Sequence, residues 1–419
     1  MTALLRITFI KTDEMKYIVL IGDGMAGRPI GALGNRTCLQ KSSTPHMDRL
    51  AQQGEVGWAR TVPAGFEPGS DVANLSILGY NPSRYYSGRA PIEAVYQGIH
   101  LGPQDVAYRC NLVHLKFPPD KDYRKAVMND YSAGHITTAE AKRIIQFIQG
   151  RMGSKEITFY PGVSYRHTMI WKKGNARIQC TPPHDITGRE IQSHLPSGKD
   201  SEVLNYLICK SHDLLRDHAV NRARVKKGQL PANSIWLWGQ GKKLTLPKFR
   251  SRYGLKGALI SAVDLTKGLG MSAGFDVIKV KGATGYIDTN YAGKSNAALR
   301  ALRTCDFVYV HVEAPDEAGH IGSIKDKIMA IEDFDKQIVG PILKGMERFG
   351  DYRVLLMPDH FTPISVKTHT SEPVPFVIYD STHPRRSRAR SYSENICRMK
   401  SALRFEKGYR LMDYFVGKQ

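Results

Sequence analysis

The chain is poor in cysteine, and no two of its cysteines lie close together. Cys38, Cys110, Cys180, Cys209, Cys305 and Cys397 stand singly, which argues against a Cys-x-x-Cys metal clip, a redox pair or a disulfide-stapled fold. Long apolar runs are missing too, so no segment reads as a membrane span. The patch Ala3 to Ile10 is broken by Arg6, and no small-residue cleavage site follows it, so a secretory leader is not expected. Internal repeats are absent, as is low complexity beyond the Arg/Ser segment 385 to 393. Gly22-Asp23-Gly24-Met25 is glycine-rich but lacks the spacing of a dinucleotide or P-loop fingerprint. These absences lead to the expectation of a soluble, cytoplasmic protein in a reducing compartment. Residues 1–14 read as a loose extension before a fold that begins near Lys16.

Acidic residues are scarce relative to basic ones, 39 against 60, which leaves a net charge of +21. A surplus of that size attracts nucleic acid, anionic lipid or small acidic molecules. The basic residues are spread along the chain, with small clusters at Arg222 to Lys227, Lys242 to Lys243 and Arg385 to Arg390. No aromatic-interleaved basic stripe, zinc knuckle or recognition-helix pattern accompanies them. The expected partner is therefore a small acidic substrate, with no specific nucleic acid and no membrane. Oligomeric state stays open.

What is present is an α/β pattern: short β-branched runs, each followed by a turn and a helix-like stretch. Tyr17 to Ile21 leads into Asp23, Phe307 to Val312 into Asp316, and Val354 to Met357 into Asp359 and His360. In a largely parallel sheet the ligand site lies beyond the carboxyl ends of the strands, and all three runs deliver an acid there. The polar, loop-rich middle of the chain reads as an inserted α+β domain. The expected organisation is a discontinuous core, 15–104 and 253–419, around a smaller insert at 105–252.

Asp316 and His320 are four residues apart and share one face if they open a helix. With Asp23, Asp359, His360 and His369 they make three carboxylates and three imidazoles, enough for two divalent cations of the manganese or zinc type. Each taken singly also reads as a helix cap or a satisfied buried histidine. Ser70 follows Pro68-Gly69 at the start of a helix-like run. It is an N-cap by default, yet a hydroxyl placed there faces whatever anion occupies the helix N-terminus, and a metal bound to it would supply a nucleophile. Arg89 beside Gly88 has the setting of an anion clamp. Arg109, His135, Arg166 and His167 could face the metals from the insert, and Lys267 would project from a sheet edge. Trp236 and Trp238 read as core residues rather than as a stacking platform.

At these motifs the sequence resembles the archaeal-type cofactor-independent phosphoglycerate mutases of the alkaline phosphatase superfamily. The resemblance runs from about Met15 through IGDGMAGRPI, RTVPAGFEPGSDVANLSILGYNP, GRAPIEA, VAYRCNLV, DYSAGHIT, PPHDITGR, IWLWGQG, GATGYIDTNYAGK, HVEAPDEAGH, PDHFTP and KTHTSEPVPFVIY. It implies an alkaline-phosphatase-like core and isomerisation of 3-phosphoglycerate and 2-phosphoglycerate without 2,3-bisphosphoglycerate. It also implies two divalent ions, manganese first, with magnesium, zinc or cobalt as alternatives. One ion would be held by Asp23, Ser70, Asp359 and His360, the other by Asp316, His320 and His369, with Ser70 the covalent nucleophile. Lys267 looks like the lysine that neutralises the moving phosphoryl group, and Arg109, Asp130, His135 and Arg166 like the donor-binding set. Two departures stand out: Gly27 where the family usually has aspartate, and Gln97 where methionine is more usual. They keep a related phosphomonoester hydrolase or small-alcohol kinase as the alternative.

Overall fold

A computed structural model of the chain describes residues 15–119 and 122–418. The expected extension at 1–14 lies outside the described residues. The strands are, in chain order, β1 Lys16–Gly22, β2 Glu55–Ala59, β3 Val106–Lys116, β4 Val127–Asp130, β5 Ile157–Val163, β6 Arg166–Trp171, β7 Ser234–Lys242, β8 Gly257–Ile260, β9 Asp276–Ile278, β10 Phe307–Val312, β11 Tyr352–Met357, β12 Val374–Asp380 and β13 Leu403–Phe405. They form two sheets belonging to two compact units, one at 87–244 and one comprising the rest. Both boundaries fall earlier in the chain than the expected 105 and 252. The reason at the first is local: the helix Arg89–Tyr96 buries Ala90 and Ala94 against Ala107 of β3 and Ile170 of β6, inside the insert.

The larger unit holds an eight-stranded sheet in the order β13-β2-β12-β11-β1-β10-β8-β9. Strand β12 is antiparallel to both neighbours, and every other pairing is parallel. The central strands are buried almost throughout, as Val-, Ile- and Leu-rich runs must be when helices cover both faces. Register then matters for function. Gly22 of β1 lies opposite Val312 of β10, and Ile21 lies opposite Met357 of β11, so three neighbouring strands end level and their following residues emerge side by side. Among the described residues no helix is long and apolar enough to cross a membrane.

The unit at 87–244 is an antiparallel sheet in which β3 pairs with β4, β6 and β7. The helix Thr138–Met152 starts on a capping box between Thr137 and Glu140 and buries Ala141, Ile144, Ile145 and Ile148. These meet Tyr108, Cys110 and Leu112 in one core cluster. The period of two along β3 therefore leaves Ala107, Arg109 and Asn111 on the opposite face. At the rim, Gly88 has φ +132°, and a Cβ there would sit 2.0 Å from the Gln240 carbonyl oxygen. Only glycine lets these two backbones meet.

His167 of β6 is buried, with its Nδ1 accepting the Gly162 amide at 2.9 Å. Burial pushes it down to about 3. The neutral ring is the form that folds, so its contribution is present above the ordinary histidine value and lost as pH falls from about 6.5 toward 3. Chemical denaturation at stepped pH should show His167→Gln losing less stability than the wild type across that window, by up to about 1.4 kcal/mol per pH unit. Parallel curves for the two proteins would refute the assignment.

Candidate metal centre

The level strand ends bring the predicted acids together. Asp23 follows β1. Asp316 sits in the first turn of the helix Ala314–Ile321 after β10, and Asp359 and His360 follow β11. Asp316 and His320 do share a helix face, with His320 Nε2 3.1 Å from Asp316 Oδ2. His369 Nε2 lies 3.5 Å from the same oxygen. His360 Nε2 lies 3.4 Å from Asp23 Oδ1 and 3.5 Å from Asp359 Oδ2. Donor atoms of Asp23, Asp359 and His360 fall within 4.8 Å of one another, as do those of Asp316, His360 and His369. His360 thus stands between the two groups rather than in one alone.

Ser70 departs from the expected N-cap. Gly69 occupies that position, extended at φ −174°, and Ser70 is the first residue of the helix Ser70–Ile77. Its hydroxyl is therefore not spent on capping. It lies 2.9 Å from His360 Nε2, at the helix end where backbone N–H groups favour an anion. One turn on, Asn74 Nδ2 donates to the Ser70 carbonyl at 2.8 Å and to Asp359 Oδ2 at 2.8 Å, while its Oδ1 accepts the Tyr309 hydroxyl.

The three histidines are oriented by their other ring nitrogens. His320 Nδ1 faces the Lys367 carbonyl at 2.9 Å, and His369 Nδ1 faces the Pro68 carbonyl at 3.3 Å. A carbonyl can only accept, so both Nδ1 atoms carry the proton, and in the neutral rings both Nε2 atoms present lone pairs. Those two Nε2 atoms are 3.0 Å apart, a separation that requires a proton or a cation between them. His360 Nδ1 meets Thr362 Oγ1 at 3.2 Å, and the same hydroxyl lies 2.5 Å from Asp316 Oδ1.

The carboxylates make the same demand. Asp23, Asp316 and Asp359 are all buried, and Asp23 Oδ1 has no hydrogen-bond partner among the described residues. Burial first, then the charges of Asp359 and Asp316, push Asp23 well above the usual carboxylate range. Against its own burial, Asp316 is held well below that range by His369 and His320. Clustered oxygens and inward-facing imidazole nitrogens fit two divalent cations, which would neutralise what protons must neutralise otherwise.

The remaining predicted residues divide between the two units. In the larger one, Lys267 lies in the first turn of the helix Asp264–Ala273 and pairs with Asp264 at 3.2 Å. In the smaller one, Glu93 pairs with Arg89 at 3.3 Å and Arg109 at 3.0 Å. Burial lowers Arg109 to about 10 despite Glu93, and the charges of Arg89 and Arg166 add to that effect. Trp238 is core, as expected, but its ring also carries the Arg109 guanidinium at 4.4 Å. His135 and Arg166 both border the Tyr165 ring, at 6.2 and 5.4 Å. Asp130 accepts the Ser132 amide and hydroxyl, each at 2.6 Å. Of the two departures, Gly27 donates its amide to partly buried Glu394 at 2.9 Å, and Gln97 accepts the Thr168 hydroxyl at 3.0 Å.

Four participants escaped the sequence reading. Asn74 was legible as the i+4 neighbour of Ser70. His311 interrupts the buried strand β10 and brings Nε2 to 3.0 Å from Asp23 Oδ2. Lys327 occupies a core position of its helix. Thr362, two residues after His360, carried no distinctive signal.

A largely parallel sheet with an antiparallel insert, and an acid–histidine cluster level with its central strand ends, defines an α/β protein of the phosphoryl-transfer class. Residues 51–221 match the family model for 2,3-bisphosphoglycerate-independent phosphoglycerate mutase. The chain is 54% identical over 399 residues to a Geobacter sulfurreducens protein named probable 2,3-bisphosphoglycerate-independent phosphoglycerate mutase, covering 95% of this chain and 99% of that one. It is 53% identical over 384 residues to the mutase of that name from Methanosarcina mazei, covering 91% and 94%. The cofactor-independent phosphoglycerate mutase structure from Thermoplasma acidophilum superposes with a TM-score of 0.61 at 26% identity, covering 96% of this chain and 99% of that one. The chain belongs to the 2,3-bisphosphoglycerate-independent phosphoglycerate mutase family.

Asn74 makes three hydrogen bonds that tie the Ser70 carbonyl, Asp359 and Tyr309 together, so Asn74→Ala strands the Tyr309 hydroxyl and removes donors from Asp359 and Ser70. A loss of about 2–4 kcal/mol is expected, read by denaturant midpoint, together with weaker manganese(II) uptake by equilibrium dialysis. Unchanged stability and uptake would remove Asn74 from the site.

Proposed function

We propose that this chain interconverts 3-phosphoglycerate and 2-phosphoglycerate through a phosphorylated Ser70, as a cytoplasmic enzyme whose six free cysteines suit a reducing compartment. The observation that supports it most is the uncommitted Ser70 hydroxyl, 2.9 Å from His360 Nε2 at the edge of three buried carboxylates. Two divalent cations, manganese first, would be held by Asp23, Ser70, Asp359 and His360 and by Asp316, His320 and His369, supplying Lewis-acid charge and lowering the hydroxyl pKa.

Ser70 Oγ attacks phosphorus in line. The bond to the 3-oxygen of glycerate breaks as the bond to Oγ forms, and the proton lost from Ser70 is matched by one gained at the leaving oxygen. Lys267 spreads the charge that develops on the phosphoryl oxygens. Arg89 and Arg109, two cations sharing the single carboxylate of Glu93, hold the carboxylate of glycerate together with Arg166. Asp130 and His135 engage its hydroxyls. Retention of glycerate and exclusion of water let its 2-hydroxyl take the phosphoryl group back in place of hydrolysis.

Incubation with 3-phosphoglycerate and manganese(II), with separation of products, should yield 2-phosphoglycerate and little free phosphate. Predominant phosphate release would mark a hydrolase instead. Ser70→Ala should lower mutase turnover by more than about 1,000-fold, the scale of losing a covalent nucleophile, while retaining bound metal. Substantial mutase activity in that variant would sink the serine intermediate.

A further inference from the structure

The helix Ile324–Phe334 buries Lys327, Ala330, Ile331 and Phe334, positions i, i+3, i+4 and i+7 of its apolar face. A lysine in that stripe is 1% exposed. Its ammonium donates to the Gly24 carbonyl at 2.7 Å and to the Thr362 carbonyl at 2.6 Å. Gly24 directly follows Asp23, and Thr362 lies two residues after His360, so one side chain ties together two loops that feed the cluster. The helix that carries Asp316 and His320 is shaped around it. A Cβ on Gly319, between Asp316 and His320, would lie 2.9 Å from the Thr362 carbonyl oxygen and 3.2 Å from Lys327 Nζ. A Cβ on Gly24 would meet Asp316 Oδ1 and Thr362 Oγ1 at 2.4 Å. The acids that face the ammonium are Asp316, Glu394 and Asp23.

A buried ammonium costs several kcal/mol in desolvation, and a methionine would fill nearly the same space without that cost. Near a cation site it also carries the wrong sign, since it repels the ions the site would hold. What it supplies in return is geometry, because two carbonyls from separate loops are held a fixed distance apart. We infer that Lys327 is a positioning residue, an internal cross-link that sets the spacing between the Asp23 loop and the Asp359–Thr362 loop. The inference rests on the cluster being the cation site proposed above.

The opposing signs make the test decisive. In Lys327→Met, manganese(II) affinity of the chelator-stripped protein, measured calorimetrically, should fall about tenfold or more, as for other supports of metal ligands. At saturating manganese(II), kcat should drop similarly while KM for 3-phosphoglycerate changes less than about threefold, the signature of lost transition-state contacts. Lys327→Gln keeps a donor for one carbonyl and should fall between the two proteins. Loss of charge alone would tighten cation binding, so a methionine variant that binds manganese(II) as tightly as the wild type, or more tightly, overturns the inference. Failure of both variants to fold overturns it as well, by making Lys327 a residue of the fold at large. A wild-type protein that takes up no manganese(II) overturns the reading of the cluster and leaves the cross-link without a purpose there.

Discussion

Three carboxylates buried in one cluster are the constraint on which the larger unit depends. Two like charges 4 Å apart repel by about 4 kcal/mol at an effective dielectric constant of about 20, a large fraction of the stability of an ordinary domain. Polar groups surround them: His311 beside Asp23, His320 and His369 beside Asp316, His360 between the groups, and Lys327 behind the loops. None of these neutralises the cluster as fully as bound cations would. The same repulsion is what would give the proposed site its affinity for divalent ions, and the sheet must be rigid enough to maintain it.

That rigidity comes from register. Because β1, β10 and β11 end level, each acid needs only a short turn to reach its neighbours. The insert is built on other principles. It pairs Arg89 and Arg109 with the one carboxylate of Glu93 and lays the Arg109 guanidinium on Trp238 and that of Arg166 against Tyr165, an arrangement suited to a planar anion. On the proposed function, phosphoryl chemistry and recognition of the organic acid would fall to separately folded units, so the acceptor contacts could vary without disturbing the cluster.

The acids and histidines were legible because strand-end acids and an i, i+4 pair are written in linear spacing, and the parallel sheet followed from apolar runs between them. The insert's first boundary was less legible. The helix Arg89–Tyr96 precedes the first strand of the insert yet buries its apolar face inside it, a preference that appears only in three dimensions. His311 was hidden for a related reason: a polar residue inside an apolar strand has no sequence mark of the partner that makes it tolerable. Lys327 did carry such a mark, a charge at a core position of a helix, but its partners are two backbone carbonyls, which no side-chain pattern can announce.

Ser70 shows how a one-residue shift alters chemistry. As an N-cap its hydroxyl would accept a backbone amide and be spent on the helix. As the first helical residue, with Gly69 taking the cap in an extended conformation, the hydroxyl is released toward His360. The helical period also places Asn74 under Ser70, where it grips the serine carbonyl and Asp359 together. A helix of eight residues thus presents the hydroxyl proposed as nucleophile, aims its amides at the position a phosphoryl group would take, and anchors itself to a cluster acid. Movement of the serine relative to the cluster would require breaking the hydrogen bonds of Asn74, so the alignment that the proposed in-line attack needs would be stored in the ground state of the fold.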